Sequence, residues 1–502
     1  VLIRRAEVAR VAPVDVRIRE GRVARIGRRL APAAGEEVLD AAGGALLPGL
    51  HDHHLHLFAL AAAEASVRCG PPAVRDAAEL AAALASAGGA GDWIRGVGYC
   101  ESVAGDLDRR RLDAWVPERP LRIQHRSGAL WIVNSAGAAR LGLDGGADAD
   151  GVERDARGRA TGRLFRLDAW LRGRLGDAAR PGLAPVGRKL ARYGVTGVTD
   201  ATPGNGAAEL AAFAEAVARG DLRQRVVVMG GPSLPGAPDP DAGVEAGAVK
   251  VWLSDSALPS PEELRRTVED AHAAGRPVAV HCVTRAELVF AAVALAAAGG
   301  RAGDRIEHAA VAPPEALALL ADLPVTVVTQ PNFIRERGDR YAQQVAAADR
   351  PWLYRGRGFL DASVPLGGGT DAPFGDPDPW RAMQAAVDRR SRGGIRLGPE
   401  EALSPERALA LFTSPPHAPG ARPRRIGVGS PADLCLLDVP WSEARRALSS
   451  ERVAATLRGG AITWRREGLG GVLGQRRRQG LHVVVGREAI EDGAAGGDRL
   501  HE

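Results

Sequence analysis

"LLPGLHDHHLHLFAL", residues 46–60, places four histidines and one aspartate in the six positions from His51 to His56, in a chain of 502 residues with 11 histidines in all. Apolar runs lead in and out, so the segment reads as a buried β-strand whose end carries polar chemistry. Side chains two apart on a strand share a face, so His54 and His56 point the same way. His51 and His53 are read as facing the other side of the strand or its loop, and Asp52 as a carboxylate that orients a ligand imidazole.

Outward from this segment, apolar β-like runs alternate with Ala/Leu-rich helical stretches. The runs are "ALLPGLHDHHLH", "VTGVTDAT", "RVVVMG", "AVKVWLSD", "PVAVHC", "RIEHA", "VTVVTQ" and "VPLGGGTD". Eight strands with intervening helices predict an α/β fold, a TIM (β/α)8 barrel, provided that 67–190 is an insertion after the first strand. Residues 1–43 read as short strands with Gly turns, and a second strand-rich piece returns late in the chain. The expected organisation is therefore a small β-sandwich from both chain ends (1–43 and 404–464), a metal-binding barrel (44–66 and 191–403), an inserted subdomain (67–190) and a poorly packed tail (467–502). Trp93 and Trp131 of the insertion either cap the pocket or form the insertion's own core.

Barrel enzymes carry their chemistry at the C-terminal ends of strands. His54 and His56 end the first run, His281 ends "PVAVH", His308 ends "RIEH" and Asp371 ends "LGGGTD". Two imidazoles at HxH spacing plus a carboxylate suit Zn²⁺ or a similar ion, and His281 with His308 could hold a second. The expected cofactors are thus one or two divalent metal ions, zinc first among them. The chain has 66 cationic residues but only two lysines, Lys189 and Lys250. Lys189 reads as an incidental surface residue. Lys250, between valines in "GAVKVWLSD", is placed where burial favours the neutral amine, chemistry that a guanidinium cannot perform. A neutral amine can take up CO₂ and become a carbamate, an anion able to bridge two cations. His125, His272, His417, His482 and His501 lack this setting and read as structural.

These segments resemble the amidohydrolase superfamily, and within it the YtcJ-like branch (amidohydrolase family 3). "PGLHDHHLHL" is similar to that family's PGxxDxHxHL, and "WIRGVGY" (93–99), "HRSGALWIVNS" (125–135), "ATGRL" (160–164), "TQPNF" (329–333), "GTDAPFGDPDPW" (369–380) and "GSPADLCLLD" (429–438) look like further family segments. The likeness covers roughly 1–464. It implies one or two metal ions at His54, His56, Lys250, His281, His308 and Asp371, and hydrolysis of a non-peptide, amide-like carbon–nitrogen bond by a metal-activated hydroxide. Asp371 is then the group that moves the proton. Two departures stand out: Gly128-Ala129 where family members often have Gly-His, and "HCVTR" (281–285) where they have HxxGD.

The alternatives are a deaminase with one metal on the same scaffold, which Lys250 disfavours, and a basic non-enzymatic binding protein. Net charge is +5, but most cations sit beside acids, and only "GQRRRQG" (474–480) is a bare basic run, so no nucleic-acid partner is expected. No stretch has the roughly 20 apolar residues that a membrane span needs. Four scattered cysteines form no CxxC pair, which points to reduced thiols and a cytoplasmic location. The expected partner is a small-molecule substrate; a homo-oligomer is left open.

Overall fold

A computed structural model describes residues 1–9, 13–87, 93–145, 149–175, 180–235 and 243–468. The expected tail, from residue 469 on, lies outside the described residues, as do His482 and His501.

Eight parallel strands form the central sheet: β1 (Leu50–Leu55), β2 (Val195–Asp200), β3 (Arg225–Gly230), β4 (Val244–Trp252), β5 (Val278–Cys282), β6 (Arg305–His308), β7 (Thr326–Thr329) and β8 (Leu366–Gly368). Each neighbours the next in chain order, and among the described residues helices follow every strand but β3, which makes the sheet a nearly closed TIM barrel. Every residue of β1, β2 and β6 is buried. Strands enclosed on both faces cannot show a polar outer side, which is why their polar residues carry structural or chemical duties.

The barrel's last seam joins the end of β1 to the loop after β8. Asp371 N–H donates to the His54 carbonyl and His56 N–H to the Ala372 carbonyl, both at 2.8 Å. Asp52 reinforces this seam. Its carboxylate accepts from the Thr370 backbone N–H (3.1 Å), the Thr370 hydroxyl (2.6 Å) and the His54 backbone N–H (3.1 Å). Asp52 therefore holds backbone in register and does not orient an imidazole. Burial pushes its pKa up to about 7. Gly369 makes the approach possible, since a Cβ there would lie 2.6 Å from His54 Cβ and 2.8 Å from its backbone nitrogen.

The run read as one strand over residues 45–56 is two. Ala45–Pro48 pairs with Leu434–Leu437 in the sheet built from the chain ends, and β1 begins after Gly49. At Gly49 the chain crosses so close to Thr196 that a Cβ would lie 2.3 Å from its side chain. In the end-built sandwich, Leu2–Val8 pairs with Val14–Arg19 and Val38–Asp40 through its first residues and with Ala45–Pro48 through its last. Ile3, Val16, Leu39, Leu434 and Leu457 fill its core. Helix Pro405–Thr413 packs on the barrel instead, with Leu411 and Phe412 against Gly368 of β8. The insertion builds a six-stranded sheet from Val67 to Phe165. Trp131 is buried in its core, its indole N–H donating to Asp168 at 2.9 Å, and Trp93 packs beside it, so neither tryptophan caps the barrel.

Local sequence explains where the barrel helices begin. "SPEE" and "TRAE" are capping boxes, with Ser260/Glu263 opening helix Pro261–Ala273 and Thr284/Glu287 opening helix Arg285–Ala297. Among the described residues, no helix is long and apolar enough to cross a membrane.

Candidate metal centre

His54, His56 and Asp371 meet where β1 and β8 end, and their ligand-type atoms all lie within 4.8 Å of one another. Asp371 Oδ1 is 3.1 Å from His56 Nε2 and 3.5 Å from His54 Nε2. The other ring nitrogens are engaged behind the site. His54 Nδ1 is 2.5 Å from Glu307 Oε2, and His56 Nδ1 is 2.9 Å from Thr202 Oγ1. With each Nδ1 carrying the proton toward these oxygens, both Nε2 lone pairs face the point where Asp371 converges. Asp371 itself has φ 55°, a left-handed backbone that Asp tolerates better than most residues.

His308 and His281 extend the cluster. The His308 ring lies 4.8 Å from that of His54 and 4.5 Å from that of His281. Gln330 of "TQPNF" holds His308 Nδ1 at 2.6 Å, and His308 has φ 71°. Trp252 stacks on His281 at 4.4 Å with planes 8° apart. These two histidines stand beside the tight His54–His56–Asp371 group without joining it.

Electrostatics favour neutral nitrogen donors here. Burial, then the neighbouring Lys250, holds the His54 pKa well below the usual imidazole range. The same two causes bring His281 to about 3, and burial, then His54, lowers His308. Lys250 is itself buried, its pKa lowered by burial against the opposing pull of Glu307. Its Nζ finds no hydrogen-bond partner.

Glu307 is the residue that sequence reasoning passed over. It lies fully buried in β6, touches His54, and has Arg305 Nε 2.8 Å from its other oxygen. An acid inside the short apolar run "RIEH" was the available signal, because a strand buried on both sides keeps a carboxylate only for a partner. Glu307→Gln should keep the fold but lower metal affinity about 10- to 100-fold, the usual effect of losing a carboxylate behind a histidine ligand. Metal titration beside a melting curve measures this, and unchanged affinity would mean that Glu307 serves only Arg305.

The remaining polar residues lie elsewhere. His51 and His53 sit inside the barrel strand rather than in a loop; their rings are 4.6 Å apart, bonded to Thr199 and Ser414 at 3.0 Å each. His125 contacts Glu101 and Ser127, His272 contacts Asp304, and His417 contacts Glu245. Lys189 pairs with Glu64 at 2.9 Å on the surface. The insertion reaches the site mouth through the loop at Gly128, where a Cβ would lie 3.7 Å from the Phe374 ring, itself 5.6 Å from the His56 ring.

The sequence profile of the amidohydrolase family matches residues 37–464, most of the chain. The chain belongs to the amidohydrolase family. It is thus an enzyme, a hydrolase acting on carbon–nitrogen bonds other than peptide bonds. It is 26% identical to the N-substituted formamide deformylase of Arthrobacter pascens, over 89% of this chain and 94% of that one. It is 25% identical to the putative amidohydrolase YtcJ of Bacillus subtilis (strain 168), over 74% and 79% of the two chains. Among solved structures, an uncharacterized metal-dependent hydrolase from Pyrococcus horikoshii OT3 superposes with a TM-score of 0.68 at 22% identity, covering 87% of this chain and 96% of that one. At that identity the likeness is one of fold.

Proposed function

We propose that this amidohydrolase is metal-dependent and cleaves an amide-type bond in a small molecule, with divalent ions held by His54, His56, Asp371, His281, His308 and a carboxylated Lys250. The observation that carries this reading is the convergence of two imidazole nitrogens and one carboxylate oxygen at the mouth of the barrel. The donor set fits the group: neutral buried imidazoles with a carboxylate are a zinc-type combination. When bound, such an ion lowers the pKa of water toward neutrality and polarises the scissile carbonyl.

The chain's own residues do the rest. Glu307 and Thr202 fix the two imidazoles by their Nδ1 atoms, and the Asp52–Thr370 clasp fixes the loop that carries Asp371. The Asp371 oxygen not engaged by the imidazoles takes the proton of the attacking water and passes it to the leaving amine. Lys250 has the environment for carboxylation: its amine is buried, biased toward neutrality and unpartnered. Its nitrogen lone pair attacks the carbon of CO₂, one N–H proton leaves to solvent, and a carbamate anion replaces the amine.

Lys250→Ala should therefore lose most of a second ion and most activity, and short carboxylic acids added to the variant should restore part of both. Elemental analysis with and without propionate tests it. Equal metal content in the variant and the parent would remove Lys250 from the ligand set. For the substrate, the decisive experiment is a hydrolysis screen of the metal-loaded protein over N-substituted formamides, other N-acyl amines, cyclic amides and esters. The formamide arm comes first because of the deformylase relative. Amine release supports the reading; ammonia release from ring amidines alone would favour the deaminase. The four cysteines are free and buried, which fits a reducing, cytoplasmic setting.

A further inference from the structure

Helix Asn332–Gln344 follows β7, so its first turns stand over the end of the barrel that carries the candidate metal centre. Arg337 lies on it, half-buried. Its guanidinium carbon sits 3.7 Å from the centre of the Phe333 ring, and Nη2 donates to the Phe374 carbonyl at 2.8 Å. Phe374 belongs to the short turn that starts at Asp371, whose carbonyl accepts from the Phe374 N–H at 2.8 Å. Arg337 is thus clamped to the loop that brings Asp371 into the site.

No carboxylate oxygen among the described residues lies within 4.0 Å of this guanidinium. Three other enclosed arginines are compensated: Arg305 by Glu307 at 2.8 Å, Arg355 by Glu401 at 2.7 Å, and Arg389 by the carbonyls of Leu353, Tyr354, Leu397 and Gly398. The adjacent Glu336 is spent elsewhere, accepting from Asn332 Nδ2 and the Asp376 N–H. Asp371 is near enough for its field to reach Arg337, but its Oδ1 is turned to the two imidazoles. A half-desolvated cation that meets the Phe374 carbonyl and the Tyr341 hydroxyl but no carboxylate suits a planar anion from outside, which a guanidinium binds through two parallel hydrogen bonds.

We propose that Arg337 is a specificity-determining residue that binds a carboxylate on the substrate, so that the preferred amide is one bearing a free carboxylate near its scissile bond. This rests on the amide-hydrolase reading above, and the test separates the two. The probes are twins that differ only by the carboxylate: N-formylphenylalanine and N-formyl-2-phenylethylamine. The metal-loaded protein should prefer the acid, and in Arg337→Met the acid-over-neutral ratio of kcat/KM should fall about 10- to 100-fold, the range for one charge-assisted pair. Arg337→Lys should keep part of the preference through KM. A ratio unmoved by Arg337→Met, whatever the absolute loss, overturns the proposal, since a fold or loop defect harms both twins alike. Calorimetric titration of phenylacetate against phenylacetamide gives a second readout. If neither twin is hydrolysed but phenylacetate binding still depends on Arg337, the formamide arm of the amide-hydrolase reading falls and the carboxylate site stands. If neither twin is hydrolysed and phenylacetate binds parent and variant alike, the formamide arm and the carboxylate site both fall.

Discussion

Replacing His56 by alanine should strip the protein of bound metal and abolish hydrolysis while leaving it folded. His56 is the better probe of the HxH pair because its side chain keeps 13% exposure, against 1% for His54. Its loss frees the Thr202 hydroxyl, a neutral group that water can satisfy. His54→Ala should be equally inactive and less stable. It opens a hole in the buried strand and deprives the buried Glu307 of its imidazole, a costly loss for a carboxylate that solvent cannot reach. The two variants thus separate ligation from packing: both lose metal, and His54→Ala alone shows a marked fall in Tm. Elemental analysis, turnover and melting on the same preparations check this. Full metal occupancy in both variants would remove the HxH pair from the site.

How much of this was legible depended on whether a residue's neighbours lie along the chain or across the barrel. The eight strands could be read because apolar runs recur between helical stretches, and His54 with His56 because a strand's period of two is local. Lys250 could be singled out from scarcity alone. Glu307 could not be placed, since its partner His54 and the Lys250 charge that acts on it are 253 and 57 positions away and come near it only when the barrel closes. The break at Gly49 was signalled by the Pro-Gly pair, yet a bulged strand would have looked the same. What forces the break is Thr196 on β2, which the local sequence does not show. Asp52, standing between histidines, reads as serving one of them; the clasp it makes is with Thr370, 318 positions on. Arg337 was hidden for a different reason. In "RERGDR" it looks like any solvated helix face, and its place beside the Asp371 loop without a carboxylate partner shows only in the fold.

Asp371→Asn should keep most of the bound metal and lose about 10²- to 10⁴-fold in turnover, the usual worth of a positioned general acid–base. The backbone argument makes this a clean exchange. Residue 371 sits at φ 55°, where alanine would be strained but asparagine is tolerated as well as aspartate. Its N–H still donates to the His54 carbonyl, so the seam between the β8 loop and β1 stays closed. The asparagine carbonyl oxygen can occupy the Oδ1 position, 3.1 Å from His56 Nε2 and 3.5 Å from His54 Nε2, and so still offers a ligand atom beside the imidazoles. What the amide cannot do is accept a proton from water and return it to a departing amine. Loss of rate without loss of metal therefore isolates the proton transfer. Metal content and steady-state turnover are measured on one preparation. Near-normal turnover at full metal would assign the proton to another group, and metal lost in proportion to rate would make Asp371 a ligand first.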